Sequence, residues 1–194
     1  PYTTLFRSLF MDLGTNGEMA LLHDGRVVCC ATAAGPVFEG ASIRFGMPAS
    51  AGAISKVALD ESSDGPARLR VETIGGLAPR GVCGTGLIDA VALMCDAGIV
   101  DETGYLLGPD ELSGVPLARY MGCEDGGNVF YLTDDKTLFL TQRDIRSLQL
   151  AKAAVCAGVR TMLDAAHVTL EDVASLEIAG GFGAYLDLPA AARI

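Results

Sequence analysis

Eight residues, Met11-Asp12-Leu13-Gly14-Thr15-Asn16-Gly17-Glu18, stand between two apolar runs and dictate how the start of the chain can fold. Leu9, Phe10 and Met11 lead in, and Met19, Ala20, Leu21 and Leu22 lead out, so one buried strand must turn into the next at the glycines. Gly14 and Gly17 permit a positive φ and leave backbone N–H groups uncovered, Thr15 and Asn16 add side-chain hydrogen-bonding groups, and Asp12 places one carboxylate at the strand end. Such a set suits a phosphate with its metal ion. The same residues also suit a structural hairpin turn in which Asp12 and Asn16 bond their own backbone.

The pattern continues as a meander. Glu18–Leu22 and Arg26–Thr32 read as strands around Asp24-Gly25, a strong hairpin signal. Ala33-Ala34-Gly35-Pro36 breaks the third strand, and the small-residue-rich stretch that follows, to Ile54, fits close backbone packing or a ligand-facing loop. Ser55–Leu59 and Leu69–Ile74 look like strands around the polar turn Glu61–Gly65. A second glycine cluster, Gly81-Val82-Cys83-Gly84-Thr85-Gly86, precedes an apolar helix from Leu87 to Met94 that ends near Gly98. Gly84, Thr85 and Gly86 would suit an anion at a helix start, or equally tight packing there.

Residues 100–128 are loop-like, and a hairpin follows, Val129–Thr133 and Thr137–Leu140 around Asp134-Asp135. Thr141 with Asp144 three positions on is an N-terminal capping pattern, and Ile145, Leu148, Val155, Val159 and Met162 fall on one stripe, so a helix should run to about Ala166. Asp144 and Lys152 on it read as solvated helix charges, or as groups near a bound ligand. Thr169–Asp172 suggests a helical turn and Ser175–Ala179 a buried strand. That strand ends in Gly180-Gly181-Phe182-Gly183, at the strand C-terminus where open α/β sheets bind ligands.

Composition narrows the function classes. Across 194 residues, 24 Asp and Glu stand against 14 Lys and Arg, a net charge of −10 that disfavours nucleic acid and anionic membrane surfaces as partners. A phosphate site must then rely on local N–H groups and a cation. There is no apolar run of the ~18 residues a membrane span needs and no signal-peptide pattern, so a soluble, cytoplasmic protein is expected. The six cysteines lack C-x-x-C spacing and His23 and His167 stand apart from them, so buried reduced thiols are expected rather than a metal site. Cys83, with no histidine near it in sequence, is not expected to be a nucleophile. Residues 1–8 resemble a translated sequencing-adapter scar and are set aside as non-native, and the last residues stop inside what looks like a helix, so 9–194 is expected to be a partial domain truncated at its C-terminus.

The ordered motifs, Asp-x-Gly-Thr, then Gly-x-x-Gly-Thr-Gly before a helix, then an apolar strand ending Gly-Gly, resemble the acetate kinase, sugar kinase, Hsp70 and actin superfamily. More narrowly, Asp12–Glu18, Ala33–Ala41, Gly81–Asp89, Gln142–Lys152 and Ala179–Gly183 resemble the C-terminal actin-like (ASKHA) region of ferredoxin-containing reductive activators of corrinoid proteins. The resemblance implies an α/β fold of the actin-like, RNase H-like ATPase class, mainly its second lobe, with a mixed sheet and flanking helices.

It also implies an ATP-dependent, ATPase-type activator that returns an inactive Co(II) corrinoid protein of methyl transfer to Co(I), with a cobalamin-binding corrinoid protein as partner. A 2Fe–2S centre is expected only in an N-terminal ferredoxin domain, because no ferredoxin cysteine cluster occurs in this sequence. Asp12 would hold Mg²⁺ through water and serve the chemistry, Gly14, Thr15, Asn16 and Gly17 would face the β- and γ-phosphates, Gly84, Thr85 and Gly86 would form a second phosphate element, and Gly180, Gly181 and Gly183 would admit the adenosine. The partner turn Asp-x-Gly-Thr-Thr of the first lobe is absent, so these residues alone are expected to bind ATP weakly and to be inactive. The alternatives are a small-molecule kinase, an acyl- or carbamoyl-type enzyme of the same superfamily, or a non-catalytic docking lobe.

Overall fold

The computed structural model describes residues 7–60 and 66–194. The turn expected at Glu61–Gly65 and the first six residues of the octapeptide lie outside the described residues. In chain order come β1 (Ser8–Leu13), β2 (Gly17–His23), β3 (Arg26–Thr32), β4 (Ala53–Leu59), β5 (Leu69–Thr73) and β6 (Gly81–Val82). Next are α1 (Gly84–Asp96), β7 (Met121–Glu124), β8 (Gly127–Tyr131), β9 (Phe139–Thr141) and α2 (Gln142–Ala166). Last come β10 (Ser175–Ala179) and two short helices, α3 (Gly180–Gly183) and α4 (Leu188–Arg193). The expected α/β class with mixed sheets and flanking helices holds. None of the described helices is long and apolar enough to cross a membrane.

The chain divides into two compact units, Pro1–Phe38 with Leu150–Tyr185, and Glu39–Gln149 with Leu186–Ile194. The first unit holds one four-stranded sheet in the order β10-β1-β2-β3. β1 runs antiparallel to β2 and parallel to β10, and β2 runs antiparallel to β3. The alternation read from the sequence sets its faces: Leu9, Met11 and Leu13 of β1 are buried with Met19 and Leu21 of β2, whereas Phe10 and Asp12 point outward. The C-terminal part of α2 covers the buried face closely. A Cβ at Gly158 would overlap Thr32 Cγ2 and meet Met19 Cε at 2.8 Å, so the glycine in mid-helix is what lets the helix approach the sheet. Ser8, set aside with the octapeptide, opens β1 and pairs with Leu22 and Ser175.

β10 departs from expectation. It is a strand, but one at the sheet edge, and Leu176 is 52% exposed, so its apolar run is not buried among the described residues.

The second unit holds two three-stranded sheets, β5-β4-β6 and β7-β8-β9. Ala53, Ile54 and Val57 of β4 bury against Leu87, Ile88, Ala90 and Met94 of α1, and Phe130, Leu140 and Ile145 fill the other core. The region 100–128, expected as loop, contributes β7. Its Gly and Glu are weak strand formers, and tertiary pairing overrides them: Met121 pairs with Phe130, and a Cβ at Gly122 would stand 2.5 Å from the Tyr131 ring. The β8–β9 hairpin forms with a wider turn than two residues. Asp135 Oδ1 accepts from Thr133 Oγ1 (2.6 Å) and Thr137 Oγ1 (2.9 Å), closing it.

α2 starts where the capping pattern placed it. Thr141 donates its N–H and its hydroxyl to Asp144 Oδ2, both at 2.8 Å, and Asp144 N–H donates back to Thr141 Oγ1 at 3.3 Å. Asp144 Oδ1 also accepts from Arg44 N–H at 2.8 Å, and the residue is 1% exposed. Asp144 is thus a buried cap rather than a solvated charge, whereas Lys152 is exposed as expected.

Candidate functional site

The first unit brings two of the three glycine motifs together. Asp12 pairs with Glu18 across β1–β2 and with Ala179 across β1–β10. Because β1 and β10 are parallel, the Asp12–Gly17 turn and the Gly180–Gly183 turn leave the sheet at the same end, the carboxyl end of both strands. Asp12 is exposed, and its carboxylate lies so close to Gly180 that a Cβ there would overlap Asp12 Oδ1. Gly180 also has φ +80°, the backbone conformation that requires glycine at this position, and it leaves room for the Asp12 carboxylate.

The remaining glycines separate by role. Gly183 is held by packing, since its Cβ would meet Ile178 Cγ2 at 2.5 Å. Gly181 has nothing within 4 Å of its Cβ position and is exposed, so no neighbour in the fold requires glycine there. Gly14 and Gly17 do not adopt the positive φ that the sequence suggested. Gly17 is the buried first residue of β2, where a Cβ would stand 2.8 Å from Thr32 Oγ1 and 3.7 Å from Val155, so close packing is its reason. The N–H of Gly14 donates to Asn16 O within the turn at 2.9 Å. Thr15 and Asn16 are the exposed residues of the turn. Donors in this turn, exposed backbone beyond it and one exposed carboxylate match the demands of a Mg-bound phosphate chain.

Gly84, Thr85 and Gly86 lie in the second unit. They are not a loop before the helix but its first turn, all buried. The small residues press the helix start onto β4: a Cβ at Gly86 would overlap Ile54 O, Thr85 Oγ1 donates to Ser55 O at 2.9 Å, and Cys83 N–H donates to Ile54 O at 3.0 Å. These contacts favour the packing alternative for the cluster. Further along α1, Asp89 is 6% exposed. Its Oδ2 accepts from Val57 N–H at 3.2 Å, whereas its buried Oδ1 has no hydrogen-bond partner among the described residues. Burial pushes the Asp89 carboxyl up to about 6, opposed by the Val57 hydrogen bond, reinforced by Asp187 and weakened by Lys56.

Residues 7–194 match the family described as the C-terminal domain of RACo, the ASKHA domain. The chain belongs to this family. It is similar to the corrinoid activation enzyme RamQ of Eubacterium limosum, 32% identical over 187 residues that cover 93% of this chain and 31% of RamQ. It is also similar to the Co(II) methylated amine-specific corrinoid protein reductase of Methanosarcina barkeri, 29% identical over 204 residues, 96% of this chain and 34% of that protein. A solved structure, a reductive activator for corrinoid, iron-sulfur protein, superposes with a TM-score of 0.80 at 38% identity, covering 96% of this chain and 29% of that one. The chain thus spans about a third of the length of the curated relatives it matches.

Other expectations for this ASKHA domain divide. The cysteines are free, but only Cys83 is buried; Cys29, Cys123 and Cys156 are exposed, because outward strand and helix positions carry them. Cys83 Sγ is satisfied by Ile54 O at 3.4 Å, in keeping with a structural thiol. Among the described residues no three His, Cys, Asp or Glu side chains are grouped to hold a metal ion. Sequence reading missed the residues that tie the site together. Gly35 N–H donates to Thr15 O at 3.0 Å, and the rings of Phe38 and Phe182 stand 5.0 Å apart. The break at Gly35-Pro36 and the lone aromatic within Gly180–Gly183 were their only signals.

Proposed function

We propose that this ASKHA domain is the ATP-binding part of a reductive activator that returns the Co(II) form of a corrinoid protein to Co(I). The observation that carries it is the contact of the Asp12 carboxylate with Gly180, at the shared carboxyl end of parallel β1 and β10. One carboxylate thereby stands between the turn assigned to the phosphates and the turn assigned to the adenosine. Asp12 holds Mg²⁺ through water, since Mg²⁺ takes few carboxylates and keeps several waters. Thr15 and Asn16 offer donors to the β- and γ-phosphates, and Gly14 and Gly17 shape the turn that presents them. Gly180 and Gly183 set the backbone course that Gly181 leaves open to adenosine. Gly84, Thr85 and Gly86 support the domain by packing the start of α1 onto β4. Mg-ATP, when bound, would supply the free energy that makes reduction of the partner's cobalt favourable.

The partner follows from the relatives, whose names are those of corrinoid activation and corrinoid protein reduction. The electron is assigned to a 2Fe–2S centre in a separate ferredoxin domain of the activator. Calorimetric titration of Mg-ATP into the wild-type protein and the Asp12→Asn variant tests the proposal. Loss of one metal-orienting carboxylate should weaken binding about 10- to 100-fold while leaving the urea midpoint in place. Equal affinities in the two proteins would remove Asp12 from the site.

A further inference from the structure

We infer that the segment Gly35–Phe38 is a strap that holds the Gly180–Gly183 turn in register with the Asp12–Gly17 turn, with the Phe38–Phe182 ring pair as its fastening. Its consequence for ligand binding rests on the nucleotide function proposed above; its mechanical part does not.

Three segments converge at one end of the sheet, and each pair of them is joined by a different contact. Asp12 packs against Gly180, joining the first turn to the last. Gly35 N–H donates to Thr15 O at 3.0 Å, joining the strap to the first turn. Phe38 meets Phe182 with ring centroids 5.0 Å apart and planes tilted by 35°, joining the strap to the last turn. The three contacts close a triangle, so no one segment can shift without breaking two of them.

The course of the strap is fixed by its sequence. Ala34 N–H donates back to Thr32 O at 3.0 Å as the chain leaves β3, Gly35 takes φ +78°, and Pro36 follows with its restricted φ. This reversal brings the Gly35 amide under Thr15 and leaves Val37 and Phe38 buried, at 5% and 8% exposure. On the other side, Phe182 is the only residue of Gly180–Gly183 with a side chain. Three glycines make that turn costly to order, and the Phe182 ring is the only side-chain handle by which it can be held. The turn thus keeps its backbone uncovered for a ligand while one ring, gripped by Phe38, limits its motion. Phe38 and Phe182 are positioning residues in this scheme, and Gly35 supplies the hinge of the strap.

The test uses Phe38→Leu, Phe182→Leu and the double variant, with Phe182→Tyr to restore an aromatic ring. Without nucleotide, amide hydrogen exchange across residues 180–185 should quicken about two- to tenfold in each single variant, the range for loss of an aromatic pair. The double variant should be no faster than the faster single one, and Phe182→Tyr should return the wild-type rate. Mg-ATP affinity should fall in the single variants, by no more than that factor, while Mg-tripolyphosphate affinity, which engages only the first turn, stays unchanged. Unaltered exchange, additive effects in the double variant, or equal weakening of ATP and tripolyphosphate would each overturn the strap. A wild-type protein that binds neither ligand sinks the proposed function instead, and the exchange rates then decide the strap alone.

Discussion

Asp89 should make the domain less stable as the pH rises through 6, and Asp89→Asn should abolish that dependence. The carboxyl is buried in α1 with one oxygen unpartnered, and burial raises it from 3.8 to about 6. A raised carboxyl favours the protonated form in the folded state. Its contribution to stability is therefore complete below 3.8 and is lost as the pH climbs through about 6. At about 1.4 kcal/mol for each pH unit between those two values, the loss amounts to about 3 kcal/mol over the whole range, of which about 1.4 kcal/mol falls between pH 5 and pH 8. Asparagine keeps the acceptor for Val57 N–H but does not titrate. Its amide buries two donors at the site of the orphaned oxygen, a pH-independent cost of about 1–3 kcal/mol. The stability difference between variant and wild type, measured by urea unfolding, should thus shift by about 1.4 kcal/mol in favour of the variant from pH 5 to pH 8, and every group common to both proteins cancels. Asp187 raises Asp89 from the cap before α4, where its side chain accepts from Ala190 N–H at 3.1 Å. Asp187→Asn retains that cap and should shrink the dependence. A difference that stays constant across the range would refute a buried, titrating Asp89.

Two further outcomes separate packing from binding. Gly181→Ala should leave the urea midpoint within ~0.5 kcal/mol of wild type, because its Cβ site is empty, yet weaken Mg-ATP in calorimetry. Gly180→Ala should cost about 1–3 kcal/mol through its φ of +80° and the overlap with Asp12, so it should fail as a protein before it fails as a site. Asp144→Ala should destabilise by about 2–4 kcal/mol in urea, since it strips acceptors from Thr141 and the Arg44 backbone at a buried capping side chain. Asp144→Asn, which retains one acceptor oxygen, should cost less.

Local signals in the sequence carried the elements whose patterns are local. The β1–β3 meander, the α2 cap at Thr141–Asp144 and the Thr169–Asp172 turn, where Asp172 Oδ2 accepts from both Thr169 donors at 3.0 Å, all appear where the residues put them. What the sequence concealed depends on partners far along the chain. β7 exists because β8 pairs with it, β10 is exposed because it ends its sheet, and Asp144 is buried because Arg44, a hundred residues earlier, reaches it. The site shows the same division. Asp12 and Gly180 were legible as separate motifs, but their contact required the parallel register of β1 with β10, which no spacing reveals.

Glycine illustrates why the motif overstated the number of phosphate donors. In Asp12–Glu18 the two glycines suggested a ring of free amides, but Gly14 spends its N–H on Asn16 O and Gly17 is fixed by Thr32 and α2. What remains exposed is Thr15, Asn16 and the carboxylate of Asp12. That carboxylate stands directly across from Glu18 in the β1–β2 register, and like charges opposite each other destabilise a strand pair by about 0.2–1 kcal/mol. Packing gives no reason for Asp12, because it is exposed, and its carboxylate lies where a Cβ at position 180 would stand, so it would have to move aside for any side chain there. A carboxylate opposite a like charge, where two turns open together, fits the proposed Mg²⁺, which would offset its charge. It follows that Asp12→Asn should bind Mg-ATP less well while folding at least as stably as wild type, a combination that no purely structural role for Asp12 produces.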